Sequence, residues 1–339
     1  PARRVRPLSC ARVPTTLNVW QHRYELRPGA DPLRAAAAPR RGTLVKIEFE
    51  NSGCGYADLH PWEEFGHAPL DEHISTLPTD RPSSLAALAL RHARTDAAAR
   101  RAGVSLFEGL PTIGSHALFT DWAGAPREAF EQCLRDGCST VKLKIGRDPD
   151  REATTLNKLA DLPLRWRLDA NALFTRESLG AWLAQLDPQL RARIEFLEDP
   201  CPYEQSRWMD ILTHEKIPLT LDWQLPATPP PWPGAQVVVI KPAVQDAFLL
   251  ALAAAQAGLD IVVTHSMDHP LGRAVALWTA MRLRQRHGEL VRDGGLHGGG
   301  LYAPDSFADL VGVDLQIPRG TGFGFDDLLD RLTWEKVFP

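Results

Sequence analysis

The rhythm of apolar and polar positions changes near residue 112. Before it, Leu44-Val45-Lys46-Ile47-Glu48-Phe49 alternates as a half-buried strand does. Gly53, Gly55 and Pro61 punctuate the next stretch, and Ser83 to Ala102, rich in Ala, Leu and Arg, predicts a helix. Strands followed by a helix describe an α+β unit. Beyond 112, short apolar runs alternate with helical stretches. Strands are expected at 117–120, 140–145, 165–169, 193–197, 219–221, 237–240 and 261–264, and helices at 128–135, 150–161, 176–186, 203–214, 245–257 and 271–286. Gly137, Asp187-Pro188 and Gly258 stop three of the helices, and His287-Gly288 ends the last. Repeated strand–helix units of this length predict a parallel sheet. Rhythm alone permits a doubly wound sheet or a closed barrel. No GxGxxG follows a first strand, which weakens the nucleotide-binding open sheet. The stretch between Asp222 and Val237 holds five prolines, which forbid an ordinary helix there.

Composition narrows the class. A chain of 339 residues suits one large domain plus a smaller one, and 44% apolar residues supply a sizeable core. A net charge of −4 without a basic tract argues against a nucleic-acid partner. No window approaches the ~18 consecutive apolar residues of a membrane span. Arg3, Arg4 and Arg6 lead into a polar, Pro-interrupted stretch, so no signal peptide is expected. Cys10, Cys54, Cys133, Cys138 and Cys201 are odd in number and form no CxxC pair. They read as free thiols of a reducing compartment, which points to the cytoplasm.

Charge interrupts the apolar strands in a pattern. Lys142 and Lys144 stand two apart in Val-Lys-Leu-Lys-Ile, so both side chains project from one face of a strand. Asp169, Glu198 and Asp222 each end a successive strand. Taken singly, such a carboxylate caps a helix or makes a turn. In a barrel, three of them converge on the mouth where strand C-termini meet. Their mutual repulsion calls for a divalent cation, and an oxygen-only ligand set favours Mg²⁺ over zinc. Lys241 follows Val-Val-Val-Ile and approaches the same mouth from across the barrel.

The order KxK, LDAN, EDP, D and KP resembles the enolase superfamily, and within it the o-succinylbenzoate synthases of menaquinone biosynthesis. The matching segments are Arg167-Leu-Asp-Ala-Asn171, Phe196-Leu-Glu-Asp-Pro-Cys201, Val239-Ile-Lys-Pro242 and Ser266-Met-Asp-His-Pro-Leu-Gly272, with Gly55-Tyr-Ala-Asp-Leu-His-Pro61 similar to the family's capping stretch. The resemblance implies an α/β fold, a modified (β/α)₇β TIM-like barrel with an α+β capping domain. The cap would occupy 1–105 and the barrel 106–300, with 301–339 returning to the cap. It implies Mg²⁺, with Mn²⁺ as a substitute, held by Asp169, Glu198 and Asp222. Lys144 would be the general base, Lys241 the lysine of the opposite face, and Lys142 the neighbouring cation that disfavours the charged form of the base. Asn171, Ser266 and Arg167 would lie at the substrate, a small carboxylate. The implied reaction is syn-dehydration of 2-succinyl-6-hydroxy-2,4-cyclohexadiene-1-carboxylate to 2-succinylbenzoate. One departure is that Asp222 is followed by Trp223-Gln224, where the family has Glu-Ser.

Two other functions use the same fold. N-succinylamino acid racemases and dipeptide epimerases also place one lysine on each side of an α-carbon. Epimerases add an acidic DxD pair after a late strand, whereas His265-Ser-Met-Asp268 offers one acid. A non-catalytic barrel kept as a binding protein is the remaining alternative. His60, His265, His269 and His297 come without HxH or HExxH, so a metal hydrolase is disfavoured. Gly294-Gly295 and Gly298-Gly299-Gly300 are expected to form a flexible connection at the eighth strand rather than an anion cradle. A capping loop is expected near 22–35. Trp62 with Glu63-Glu64-Phe65 either covers the substrate or joins cap to barrel.

Overall fold

The computed structural model describes residues 17–28, 39–222, 225–298, 302–303, 306–307 and 315–338. Expectations for Arg3, Arg4, Arg6, Cys10, Trp223, Gln224, Gly299, Gly300 and loop residues 29–35 lie outside them.

The first unit carries β1 (Asn18–Leu26), β2 (Arg40–Phe49), β3 (Gly53–Leu59), α1 (Leu70–Thr76) and α2 (Ser84–Ala102). β1 to β3 form an antiparallel sheet, and α2 lies on it through Leu85, Ala86, Ala89, Ala93 and Ala97. Ser83 caps α2 by accepting from the Ala86 amide. The glycines expected to break the chain lie instead in β3. A Cβ at Gly55 would stand 1.9 Å from the Ala93 carbonyl oxygen, so the missing side chain lets α2 approach the strand.

The second unit alternates β4 (Ala117–Phe119), α3 (Arg127–Arg135), β5 (Thr140–Lys144), α4 (Pro149–Lys158), β6 (Arg165–Asp169), α5 (Arg176–Leu183), α6 (Pro188–Arg191), β7 (Ile194–Glu198), α7 (Gln205–Glu215) and β8 (Leu219–Leu221). It continues with β9 (Val237–Ile240), α8 (Ala247–Gln256), β10 (Asp260–Thr264), α9 (Pro270–His287) and β11 (Val291–Gly295). Eight parallel strands pair in sequence order, and the bridge Ser115–Gly294 joins the two edges. His116 donates its amide to the Gly294 carbonyl, and Gly294 donates to Gly114. This is the modified (β/α)₇β barrel that the resemblance to the enolase superfamily implies, and it decides between the two sheets that rhythm alone permits. The described residues between Asp222 and Val237 form no helix, as the prolines require.

Gly294 and Gly295 belong to β11, not to a flexible connection. A Cβ on Gly294 would lie 2.4 Å from the Val263 carbonyl oxygen, and one on Gly295 would lie 2.8 Å from Thr264. The pair allows the strand to seat at the seam. Inside the barrel, Phe196, Val237, Val239 and Val262 form a separate apolar layer, while the larger core fills the space between strands and helices. α10 (Asp326–Leu329) precedes β12 (Glu335–Lys336), which pairs with β1 at the edge of the capping sheet.

Candidate active site

Strand register brings the charged residues together. Lys142 pairs with Arg167, Lys144 with Asp169, and Asp169 with Glu198 across β5, β6 and β7. Alternation then turns Lys142, Lys144, Asp169 and Glu198 toward the interior at the C-terminal strand ends. Lys142 Nζ lies 2.6 Å from Glu198 Oε1 and 2.9 Å from Asp169 Oδ2. Lys144 Nζ lies 2.6 Å from Asp169 Oδ2 and 2.8 Å from Asn171 Oδ1. Lys241 Nζ donates to both oxygens of Asp222, 2.7 Å from Oδ2.

Asp169, Glu198, Asp222 and Lys142 are buried, whereas Lys144 and Lys241 are half-buried. The two lysines therefore face the mouth from opposite sides of a buried acidic cluster. The backbone after Asp169 is unusual. Asn171 and Ala172 take φ of 45° and 61°, the left-handed region that L-residues avoid. That turn is held by the Asn171 amide on Asp169 Oδ1 and by the Ala172 amide on the Asp199 carbonyl.

Electrostatics separate the three carboxyls. Burial and then the charge of Asp169 push Glu198 well above the usual carboxylate range. Burial works the same way on Asp169, but Lys142 and Lys144 outweigh it and hold that carboxyl low. Lys241 and Lys142 likewise outweigh burial at Asp222. Three oxygen-donor carboxylates, one of them disfavoured as an anion by its neighbours, fit a divalent hard cation. The donor set contains no nitrogen or sulfur, which suits Mg²⁺.

Among the described residues, the group of three possible metal donors whose atoms all lie within 4.8 Å of one another is a different one, Asp58, His60 and Asp268. Sequence reasoning missed it because it joins the end of β3 to the turn after β10. His60 Nδ1 lies 3.1 Å from Asp58 Oδ2, and Nε2 lies 3.0 Å from Asp268 Oδ1. Both ring nitrogens are thus engaged by carboxylates, the arrangement of an imidazolium bridging two anions. Burial works against that charge, but Asp58 and Asp268 prevail and hold His60 well above its ordinary value. Trp62 donates Nε1 to the Ser266 carbonyl at 3.0 Å and stacks on Phe65, so its loop joins cap to barrel.

Arg167 stands apart from the mouth. It precedes Asp169 by two residues and so points inward one layer nearer the strand N-termini. Its guanidinium is 1% exposed and donates to both oxygens of Glu195, to the Asp293 carbonyl at 2.8 Å, and toward His116 Nδ1 at 2.9 Å. It also lies over the Phe196 ring. A cleft of about 750 Å³ at that lower end of the barrel is lined by mutually paired charges, among them Arg292 with Asp260 and Arg284 with Glu289.

The enclosed imidazoles are expected to give stability a pH optimum. Burial, reinforced by Arg167 and Arg273 respectively, holds His116 and His269 well below their ordinary value, and burial pushes His265 down to about 4. In the unfolded chain each protonates below about 6.5, so the unfolded state binds more protons and stability falls as pH drops. His60 has the opposite sign. Its contribution is complete below about 6.5 and is lost as pH rises toward its higher folded value. The charged or titratable groups around it include Asp58, Asp268, Tyr24, His67 and His269. Each group contributes about 1.4 kcal/mol per pH unit in its window. The melting temperature is therefore expected to peak near pH 6.5 and to fall by several degrees toward pH 5 and toward pH 8. Calorimetry showing a flat profile would contradict these assignments.

Comparison with known proteins agrees with this geometry. The family model for the O-succinylbenzoate synthase N-terminal domain matches residues 19–99. The chain is 34% identical over 324 residues to an o-succinylbenzoate synthase of Bdellovibrio bacteriovorus, covering 93% of this chain and 97% of that one. It is 29% identical to one of Pectobacterium atrosepticum, over 69% of this chain and 76% of that one. Among solved structures, a dipeptide epimerase from Cytophaga hutchinsonii complexed with Mg and a dipeptide shares the fold at a TM-score of 0.73 and 15% identity, covering 95% and 99% of the two chains. The o-succinylbenzoate synthase of Thermosynechococcus elongatus, with Mg in its active site, aligns at a TM-score of 0.59 and 22% identity over 82% and 92%. The likeness to the Bdellovibrio enzyme runs through both the cap and the barrel strands that carry the charged mouth, and on it the chain belongs to the o-succinylbenzoate synthase family of the enolase superfamily.

Proposed function

We propose that this chain is a Mg²⁺-dependent hydro-lyase that converts 2-succinyl-6-hydroxy-2,4-cyclohexadiene-1-carboxylate to 2-succinylbenzoate and water. The observation that carries the reading is a pair of half-buried lysines, Lys144 and Lys241, facing one mouth over three buried carboxylates. Asp169, Glu198 and Asp222 would hold the cation, which when bound offsets the negative charge that develops on the substrate carboxylate. Lys144 Nζ takes the proton from the ring carbon that bears the carboxylate. The same nitrogen returns a proton to the departing hydroxyl on the same face, so the ring loses water and becomes aromatic. One base serving both steps explains a syn elimination.

The remaining residues bind and orient. Asn171 accepts from Lys144 and fixes the position of its amine. Lys241 faces the other side of the ring and offsets delocalised charge without moving a proton. Lys142 is committed to Glu198 and Asp169; burial works against its charge, but those two anions prevail and hold its pKa above the ordinary lysine range. Its charge is therefore fixed beside Lys144. Ser266 contacts the substrate from the turn after β10. Arg167, saturated by Glu195, His116 and the Asp293 carbonyl, braces the barrel floor rather than the substrate.

A dipeptide epimerase would need an acid at the mouth to grip the substrate amine. The one acid in that turn, Asp268, is buried and bonded to His60, which favours the dehydration. Among the described residues Cys54, Cys133, Cys138 and Cys201 stand in no disulfide, and no helix is long and apolar enough to cross a membrane. Those thiols support a cytoplasmic setting. The test is spectrophotometric turnover of the cyclohexadiene substrate with and without EDTA. Activity is expected to vanish with chelation and to return with Mg²⁺, and with Mn²⁺ in its place. Racemisation of an N-succinylamino acid without dehydration would overturn the assignment.

A further inference from the structure

The turn from Ser266 to His269 is fixed by the cap more than by the barrel that carries it. His60 Nε2 reaches both Asp268 Oδ1 at 3.0 Å and the Ser266 carbonyl at 3.2 Å. Trp62 Nε1 donates to that same carbonyl at 3.0 Å. Asp58 accepts from the His269 amide at 3.1 Å and from the Tyr24 hydroxyl at 2.6 Å. Within the turn, Asp268 Oδ1 accepts from the Ser266 amide at 3.0 Å. Met267 is held at φ of 55°, a left-handed conformation that an L-residue keeps only when its surroundings impose it.

Two glycines make the approach possible. A Cβ at Gly42 would lie 2.3 Å from the Tyr24 hydroxyl and 2.6 Å from His60 Cβ, and one at Gly272 would lie 2.5 Å from Asp58 Oδ2. Space on both the cap side and the barrel side is thus cleared for one cluster. Its bonds engage the backbone of Ser266, which leaves the hydroxyl to act elsewhere. A cluster that served only to glue two domains would not need a strained turn beside a substrate residue.

We propose that His60 is a positioning residue of the active site: by bridging Asp58 and Asp268 it sets the Ser266 turn, so that docking of the cap and grip on the substrate are one event. This rests on the reading of Ser266 as a substrate contact. His60 touches no reacting atom, and its influence passes through Ser266. Loss of the bridge should weaken binding of substrate and product alike and leave the chemical step nearly intact, because Lys144 is held by Asp169 and Asn171 instead.

The experiment measures the Kd of 2-succinylbenzoate with Mg²⁺ present, together with kcat and KM. It compares the parent enzyme with His60→Ala, His60→Gln, Ser266→Ala and the double variant His60→Ala/Ser266→Ala. His60→Ala is expected to raise Kd and KM about tenfold while kcat stays within about threefold. His60→Gln, which keeps a hydrogen-bonding side chain, should recover part of the loss and also serves if His60→Ala fails to fold. The double variant should bind no more weakly than Ser266→Ala alone. Unchanged binding in the folded His60 variants, or losses that multiply in the double variant, would overturn the proposal. A parent enzyme that binds 2-succinylbenzoate but does not dehydrate the cyclohexadiene would count against the assigned reaction instead.

Discussion

Lys144→Ala is expected to lower kcat by about 10⁴-fold or more while 2-succinylbenzoate still binds. A positioned acid or base contributes about 10²–10⁴-fold, and here one amine is asked to remove a proton and then return it to the leaving hydroxyl. The structure explains why binding should survive. Asp169 keeps Lys142 at 2.9 Å when Lys144 is gone, so no buried carboxylate is left without a counter-charge. Lys241 and Asp222 lie across the mouth and do not touch Lys144 directly. Lys144→Arg sharpens the test. A guanidinium restores the ion pair with Asp169 but does not deprotonate in a protein, so the pair returns and the activity does not. Turnover within tenfold of the parent in either variant would remove Lys144 as the base and leave Lys241 as the candidate.

The residues of this mouth were readable in the sequence for a physical reason. A charge at the end of an apolar strand is costly unless it meets partners, and a barrel is the fold that makes successive strand ends meet. Lys142 and Lys144 were placed on one face by the two-residue repeat alone, and the structure turns both toward Asp169. Depth was harder to read than direction. Arg167 shares the inward face with Asp169, yet its guanidinium folds toward Glu195 and the Asp293 carbonyl, a destination set by residues far along the chain. β3 and β11 were hidden because their glycines look like breakers. Gly55 and Gly294 lie in strands where α2 and the Val263 carbonyl come too close for a side chain, and no local pattern carries that information. The bridge from His60 to Asp268 joins two domains, and nothing near either residue in sequence announces the other.

Glu198→Gln is expected to separate metal binding from folding stability. Glu198 sits among Asp169, Asp222 and Lys142, and burial with the charge of Asp169 makes its ionised form unfavourable without a cation. A glutamine keeps the shape, accepts from Lys142 through its carbonyl, and donates to a neighbouring carboxylate through its amide. Without metal the variant should therefore melt at the same temperature as the parent or slightly above it, because a buried charge and its repulsion are gone. With Mg²⁺ the order should reverse. Groups that merely orient a metal ligand cost about 10–100-fold in affinity when removed, so loss of a ligand charge should cost about 100-fold or more. The parent should then gain melting temperature with rising Mg²⁺ according to mass action, while the variant shows little gain over the same range. Turnover should fall in step with metal occupancy. A variant that keeps the parent's Mg²⁺-dependent shift would mean that Asp169, Glu198 and Asp222 are not the ligand set. The cluster of Asp58, His60 and Asp268 would then be the place to look, and His60→Gln, which spares the mouth, would be the variant that abolishes the shift.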